Sequence, residues 1–332
     1  MALIPPTMHD ILPRQSTTLT CTLQTCPLST SYYFYRVSLA ANVVFLILFG
    51  ISFLAYILTY LLTRRATAFT VAMVPGVVLE CIGYGGRIAS WQNQWKDTGF
   101  LMQIVCLSIA PAFIAAAIYF CLRRVVCAFG EEGSRIRPVW YTRIFIPCDI
   151  LSIILQGAGG GLASASSRAR RDPKAGNSIL IAGLAFQVFT LFIFILLCLD
   201  FTLRTYRRYA SLGVSAFEQS PVRQSKRFKG FIAALVVATI CIFWRSVYRV
   251  AELADGWEGS LIKRQWLFVG FEGVMVVVAV GVLNVFHPAW AFEGGVVEGG
   301  IGRKDGKEVG RGERSGSGAT SDGEKTVGVN LA

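Results

Sequence analysis

The chain has 332 residues, of which 54% are hydrophobic and only 16% are charged. Its mean hydropathy is +0.54, and because soluble domains carry about 25% charged residues, this composition excludes an ordinary soluble protein and indicates an integral membrane protein. The formal net charge of +12 does not predict a nucleic-acid partner, since the basic residues concentrate in short segments between apolar runs.

Residues 1–36 form a polar segment with several prolines, serines and threonines, which we predict to be irregular and external. Of the nine cysteines, only Cys21 and Cys26 lie in it, either as a disulfide in an oxidising compartment or as two free thiols. The other cysteines show no paired metal-ligand spacing, and the only histidines are His9 and His287. We therefore predict no metal site and no cofactor.

Seven apolar runs follow, and each is long enough for the roughly 20 residues that cross a bilayer as an α-helix. The runs are approximately residues 37–62, 69–90, 100–122, 142–163, 178–203, 229–250 and 266–287. We therefore predict an all-α integral membrane protein, a bundle of seven transmembrane helices within residues 37–290. The tail, residues 291–332, contains 12 glycines, mixed charge and few large apolar side chains, so we predict that it is disordered.

The distribution of Lys and Arg predicts how the bundle is oriented. An odd number of spans places the two termini on opposite sides of the membrane. The loops on one side, together with the tail, carry 19 Lys and Arg residues, whereas the other side carries 9. Because positive residues are retained in the cytosol, we predict an external N-terminus and a cytosolic tail. The loop 164–177, with four basic residues on the predicted outer side, is a local exception.

Charged and amide side chains interrupt the second, fourth, sixth and seventh apolar runs. Most recur at a spacing of four or seven residues, which places them on one face of a helix. Because a charge in hydrocarbon costs about 2.5–3.5 kcal/mol even on a lenient scale, we predict that they face the bundle interior. These candidate site residues are Glu80, Arg87, Asp149, Gln156, Arg245, Arg249, Glu252 and Glu272.

Two interpretations of these residues remain open. With an external N-terminus, Glu80 lies near mid-membrane and Asp149 in the inner half, while the other six share one depth near the outer leaflet. Arginine forks and carboxylates at that depth have the chemistry to bind a lipid headgroup. Alternatively, the residues pair with one another and only hold helices together, as Arg245 and Glu252 would on one helix face.

Glycines and prolines within the runs give further predictions. Residues 157–161 at the end of the fourth run, and the GYGG sequence at 83–86, have the small side chains that let helices approach closely. Pro75 and Pro111 lie inside runs, where we predict kinks. Three aromatic side chains near run ends are predicted to anchor the protein at the membrane interface, namely Tyr119, Trp244 and Trp266.

Sequence motifs of catalysis are missing. The chain contains no phosphate-binding loop, no G-x-S-x-G nucleophile elbow and no H-E-x-x-H sequence. We therefore predict no catalytic residues, no enzyme activity and no ATP hydrolysis by this chain.

Six stretches resemble the fungal RTA-like proteins, the lipid-translocating exporter family. They are YFYRVSLAAN at 33–42, ECIGYGGR at 80–87, APAFIAAAIY at 110–119, DILSIILQGAGGG at 149–161, GLAFQ at 183–187 and RSVYRVAE at 245–252. The resemblance covers about residues 30–290. Val37 departs from it, standing where the family commonly has proline, and Gln265 stands near a position where many members have glutamate.

The resemblance implies a seven-span protein of the plasma membrane or of an internal membrane, vacuolar or endoplasmic reticulum. It implies ATP-independent movement or export of lipids and amphiphiles, such as sphingoid bases, phospholipids and sterol-like toxicants, and resistance to toxic compounds. Membrane lipids and amphiphilic small molecules are then the partners. The alternative is a seven-helix receptor-like or regulatory protein that changes lipid asymmetry indirectly. The sequence indicates neither the substrate, the direction of transport nor the oligomeric state.

Overall fold

The computed structural model describes residues 21, 26–28, 31, 33–130, 134–169, 171–212, 225–256 and 259–292. Most of the predicted external segment 1–36 and nearly all of the predicted tail 291–332 lie outside these residues, so both remain predictions. Cys21 and Cys26 are joined by a disulfide, with their Cα atoms 5.4 Å apart.

The described residues form helices throughout the membrane portion. Six long helices are α1 Leu39–Thr63, α2 Thr67–Gln92, α3 Asp97–Phe129, α4 Pro138–Arg168, α5 Lys174–Leu212 and α6 Lys226–Ala254. The seventh span, Gln265–Ala291, consists of one turn Gln265–Leu267, a π-helical segment Phe268–Val274, α7 Met275–Val285 and the short α8 Pro288–Ala291. Seven helices are long and apolar enough to cross a membrane, which confirms the predicted all-α, seven-span architecture.

Every span except the first extends beyond its predicted apolar run at both ends, whereas α1 begins two residues inside its run. The difference is largest for α5, which has 39 residues and covers 174–212 where the apolar run covers 178–203. At about 1.5 Å per residue this helix is roughly 58 Å long, whereas the hydrocarbon core is about 30 Å thick. The ends of α5 therefore leave the hydrocarbon, which accounts for the arginines in its last turns.

Packing between neighbours in the chain builds the bundle. Each long helix contacts the next one, α6 contacts α7, and α7 returns to α1. Helix α3 also packs on α6, and it is the most deeply buried of the seven spans. In contrast, α1 exposes a row of large apolar side chains, as expected for a helix with one face in lipid. Polar residues on the faces that surround α3 are therefore shielded from lipid.

Glycines determine how closely some helices approach, as the sequence predicted. A methyl group at Gly159 of α4 would collide with the Leu180 backbone of α5, and one at Gly176 of α5 would collide with Ala163. On α2, a methyl group at Gly86 would lie 2.9 Å from the carbonyl oxygen of Gly99. These interfaces tolerate no side chain, because backbone rather than a flexible side chain occupies the space.

Candidate functional site

All eight candidate side chains are buried, with exposed fractions of 0 to 6%. Their inward orientation agrees with the spacing in the sequence; their role in binding remains a prediction. They come from α2, α4, α6 and the π-helical segment, and the structure divides them into three groups. Five form one cluster, Arg87 lies beside it, and Asp149 with Gln156 lies apart.

Arg245 of α6 makes the most revealing contacts. Its Nη2 donates to Glu272 Oε1 at 2.7 Å and also to the backbone carbonyl oxygen of Leu107 on α3. That carbonyl is available because Pro111, four residues later, has no N–H to donate to it. The proline thus creates an acceptor in the middle of the most buried helix, and the arginine satisfies it.

Glu272 joins two arginines through the π-helical segment. Its Oε2 lies 3.9 Å from Nε of Arg249, while its Oε1 accepts from Arg245. Arg249 also pairs with Glu252, three residues further along α6. The predicted pairing of Arg245 with Glu252 is therefore wrong, because Arg245 pairs with Glu272 and Glu252 pairs with Arg249. π-Helical turns inside α-helices are frequent at functional sites.

Glu80 of α2 completes the cluster without a hydrogen bond. Its Oε1 lies 4.0 Å from Nη2 of Arg245, and neither of its oxygens has a hydrogen-bond partner among the described residues. We call Glu80, Arg245, Arg249, Glu252 and Glu272 the arginine–carboxylate cluster. It sets three carboxyl groups against two guanidinium groups, so Glu80 is the acid with the weakest protein partner.

Arg87 is held differently from the other two arginines. Its Nε donates to Asn42 Oδ1 of α1 at 3.0 Å, and its Nη2 donates to the Tyr35 hydroxyl at 3.1 Å. The guanidinium also lies 3.8 Å from the ring centroid of Phe268 and 5.5 Å from that of Tyr33. Aromatic faces attract guanidinium groups, so the rings stabilise this arginine, which forms no ion pair within 4 Å with a carboxylate of the described residues.

A small cavity joins Arg87 to the arginine–carboxylate cluster. Its volume is about 40 Å³. A cavity of about 10–15 Å³ already holds one water, so this one has room for a few waters and is small for a lipid headgroup. The lining mixes charged, polar and aromatic side chains, and it includes Tyr33, Tyr35, Arg87, Phe100, Gln103, Arg249, Glu252 and Phe268.

Asp149 and Gln156 are not part of this site. Gln156 donates to Gln187 of α5 at 2.9 Å, and Asp149 lies beside Tyr119 of α3. Tyr119 itself corrects a prediction, because it is fully buried and packs on Phe194 instead of anchoring the protein at the interface. The apolar stretch around it gave no sign of this.

Several groups that position the candidate side chains had little or no signal in the sequence. Tyr35 and Asn42 precede or begin α1, and nothing in the sequence marked them as partners of an arginine. The Leu107 carbonyl had an indirect signal, since a proline inside a predicted span frees the carbonyl four residues before it. Gln187 had none, as a single amide in an apolar run names no partner.

Comparison with known proteins decides the family. The profile of the family described as RTA1 like protein matches residues 73–295, about two thirds of the chain. The chain belongs to the RTA1-like family. With its seven apolar helices, it is a multi-pass membrane protein.

Three relatives from Saccharomyces cerevisiae show the range of the family. The sphingoid long-chain base transporter RSB1 is 33% identical over 281 residues, covering 77% of this chain and 73% of the relative. Protoporphyrin uptake protein 1 is 29% identical over 232 residues, covering 67% and 71%. Protein RTA1 is 24% identical over 289 residues, covering 77% and 86%. No solved structure matches the chain significantly.

Proposed function

We propose that this protein moves amphiphiles with a charged headgroup across the membrane, and that sphingoid long-chain bases are its preferred substrate class. The observation that carries the proposal is the 33% identity to a sphingoid long-chain base transporter over most of both chains. The proposed headgroup site comprises the arginine–carboxylate cluster and Arg87.

The charges of the site suit such a substrate. A sphingoid base has a hydrophobic chain, an ammonium group and hydroxyl groups. Glu80 has two buried oxygens without a hydrogen-bond partner in the described chain, so a lipid ammonium there gains a carboxylate whose contact with Arg245, at 4.0 Å, is too long for a hydrogen bond. The arginines offer donors for hydroxyl or acidic groups, which also accommodates an anionic amphiphile such as a porphyrin carboxylate.

Substrate entry requires the site to open. The cavity of about 40 Å³ lies between α2, α3, α6 and the π-helical segment, and it is small for a lipid headgroup. Separating the seventh span from α6 would break the contacts of Glu272 with both arginines and enlarge it. A lipid headgroup would then replace the lost protein contacts, so the closed and open states differ little in unpaired charge.

Other features belong to the same proposal. The distribution of basic residues supports an external N-terminus and a cytosolic C-terminus. Residues 37–290 are the transport domain, which works without an ATPase of its own, since the sequence contains no phosphate-binding loop. The plasma membrane is its location, and resistance to toxic amphiphiles is the physiological consequence.

The experiment is reconstitution of purified protein in liposomes with fluorescent sphingoid base, and with fluorescent phospholipid in parallel. We expect faster transbilayer movement of the sphingoid base than in protein-free liposomes, and loss of this acceleration in Glu80→Gln. Asp200→Asn is the matched control, because Asp200 forms an exposed ion pair with Arg135 far from the cluster in sequence. No acceleration by a monodisperse protein contradicts the proposal and favours a regulatory role.

A further inference from the structure

A second buried acid lies between α3 and α4, outside the proposed headgroup site. Asp149 of α4 is 3% exposed, and neither of its carboxyl oxygens has a hydrogen-bond partner among the residues the structure describes. The hydroxyl of Tyr119 on α3 lies next to it, is fully buried, and has no hydrogen-bond partner other than this carboxyl group among the described residues. The carboxyl group and the hydroxyl thus face each other in an otherwise apolar packing of Tyr119, Phe145 and Phe194.

No cation neutralises this acid within the described part of the chain. The titratable groups that face the pair are thiols, Cys148 on α4 and Cys198 on α5. Arg143, six residues before Asp149, is exposed on another face of α4. An unpaired carboxylate in a low-dielectric interior costs far more than a neutral acid.

A single proton resolves the arrangement. A protonated Asp149 is neutral and carries one O–H donor that Tyr119 accepts, or its carbonyl oxygen accepts from the tyrosine hydroxyl. Either bond satisfies the hydroxyl and one carboxyl oxygen without leaving a buried charge. A metal ion would need more oxygen ligands than one carboxylate and one hydroxyl provide.

Polar side chains continue from Asp149 along one face of α4. Ser152 and Gln156 follow at three and seven residues, and both are buried. The Gln156 side chain then donates to the side-chain oxygen of Gln187 on α5, and the backbone carbonyl oxygen of Gln187 accepts from the Thr190 hydroxyl at 2.9 Å. This stripe covers two turns, about 10 Å along the helix axis, and supplies polar atoms between which a proton or water can pass.

We propose that Asp149 is a proton-binding site whose proton is exchanged for the amphiphile during transport. The proton leaves the carboxyl oxygen to water on one side of the membrane and is replaced from the other side, with no other bond made or broken. Exchange of one proton for one ammonium amphiphile moves no net charge. The exchange of this proton for the amphiphile rests on the proposed function, whereas proton binding by Asp149 does not.

Proton binding is tested by infrared difference spectroscopy of the protein in lipid nanodiscs. We expect the carbonyl-stretch band of a protonated carboxylic acid, which is lost in Asp149→Asn, kept in Asp200→Asn and shifted in Tyr119→Phe. Because Glu80 is also a buried acid, Glu80→Gln serves to separate its band. Identical acid bands in wild type and Asp149→Asn at every pH overturn the site, and Tyr119→Phe provides the same test if Asp149→Asn does not fold.

Proton exchange is tested in the liposome assay with an imposed pH gradient. We expect the gradient to accumulate the amphiphile against its concentration, whereas Asp149→Asn only equilibrates it. An imposed membrane potential should have no effect on the wild type. Amphiphile movement that ignores the pH gradient overturns the exchange but leaves the proposed function standing. No movement under any gradient overturns the proposed function, and with it the exchange, while the infrared result still decides proton binding.

Discussion

Replacing Arg245 tests how the arginine–carboxylate cluster contributes to folding. In Arg245→Met, Glu272 retains only Arg249 at 3.9 Å, Glu80 loses its nearest cation, and the Leu107 carbonyl loses its donor. Breaking a buried ion pair by removing one partner costs about 3–5 kcal/mol. We therefore expect Arg245→Met to lower the free energy of unfolding by about that amount.

Arg245→Lys keeps the charge but offers a different geometry. The arginine makes both of its hydrogen bonds through Nη2, and its Nε has no partner in the described chain. An ammonium group can replace one of these two bonds, so we expect a loss of about 1.5–3 kcal/mol, the value of one hydrogen bond to a charged group. Amphiphile transport should fall well below that of the wild type, because the ammonium group of lysine lacks the planar fork with which a guanidinium binds a headgroup through two parallel hydrogen bonds.

Unfolding in mixed micelles by increasing denaturing detergent, followed by tryptophan fluorescence, measures these differences. Arg204→Lys is the matched control, since Arg204 makes an exposed pair with Asp200 and should change stability by less than about 1 kcal/mol. If Arg245→Met is as stable as wild type, the cluster is not a buried ion-pair network. If Arg245→Lys transports normally, the arginine only holds helices together.

Two further predictions test the packing and the orientation. Gly159→Leu should prevent stable folding or lower the free energy of unfolding by at least about 1–3 kcal/mol, because its side chain would meet the Leu180 backbone. Gly161→Ala should be tolerated, because nothing lies within 4 Å of the added methyl group. Thermal stability in detergent measures both effects, and equal stability of the two variants would refute the close approach. A tag after Ala332 should resist protease on intact cells and be cleaved after permeabilisation, and cleavage on intact cells would reverse the predicted orientation.

The sequence predicted the architecture well because hydropathy and charge spacing act locally. Seven apolar runs predicted seven helices, and the seven-residue spacing of Glu80 and Arg87 correctly placed both inside the bundle. The ends of the helices were less predictable, since α-helical hydrogen bonding continues into polar residues that no longer lie in lipid, as in the last turns of α5.

The partners of each charge could not be predicted, because they depend on how helices rotate against one another. Glu252 pairs with Arg249 rather than Arg245, and Arg87 is held by Asn42 and aromatic rings rather than by a carboxylate. The π-helical segment around Glu272 decides which arginines that carboxylate reaches, and no sequence pattern announced it.

Pro111 is a case in which the sequence does predict that a buried group needs a partner from another helix. A proline in a span was interpreted as a kink, although it also leaves the Leu107 carbonyl unpaired in a low-dielectric interior. A buried donor must then come from another helix, and Arg245 of α6 supplies it.

Transport of a sphingoid base by the purified protein in liposomes is the decisive measurement for the proposed function. We expect accelerated transbilayer movement in wild type and Asp200→Asn, and movement at the protein-free rate in Glu80→Gln of equal stability. Wild-type protein that is folded and monodisperse, yet leaves the rate at that of protein-free liposomes, would contradict it.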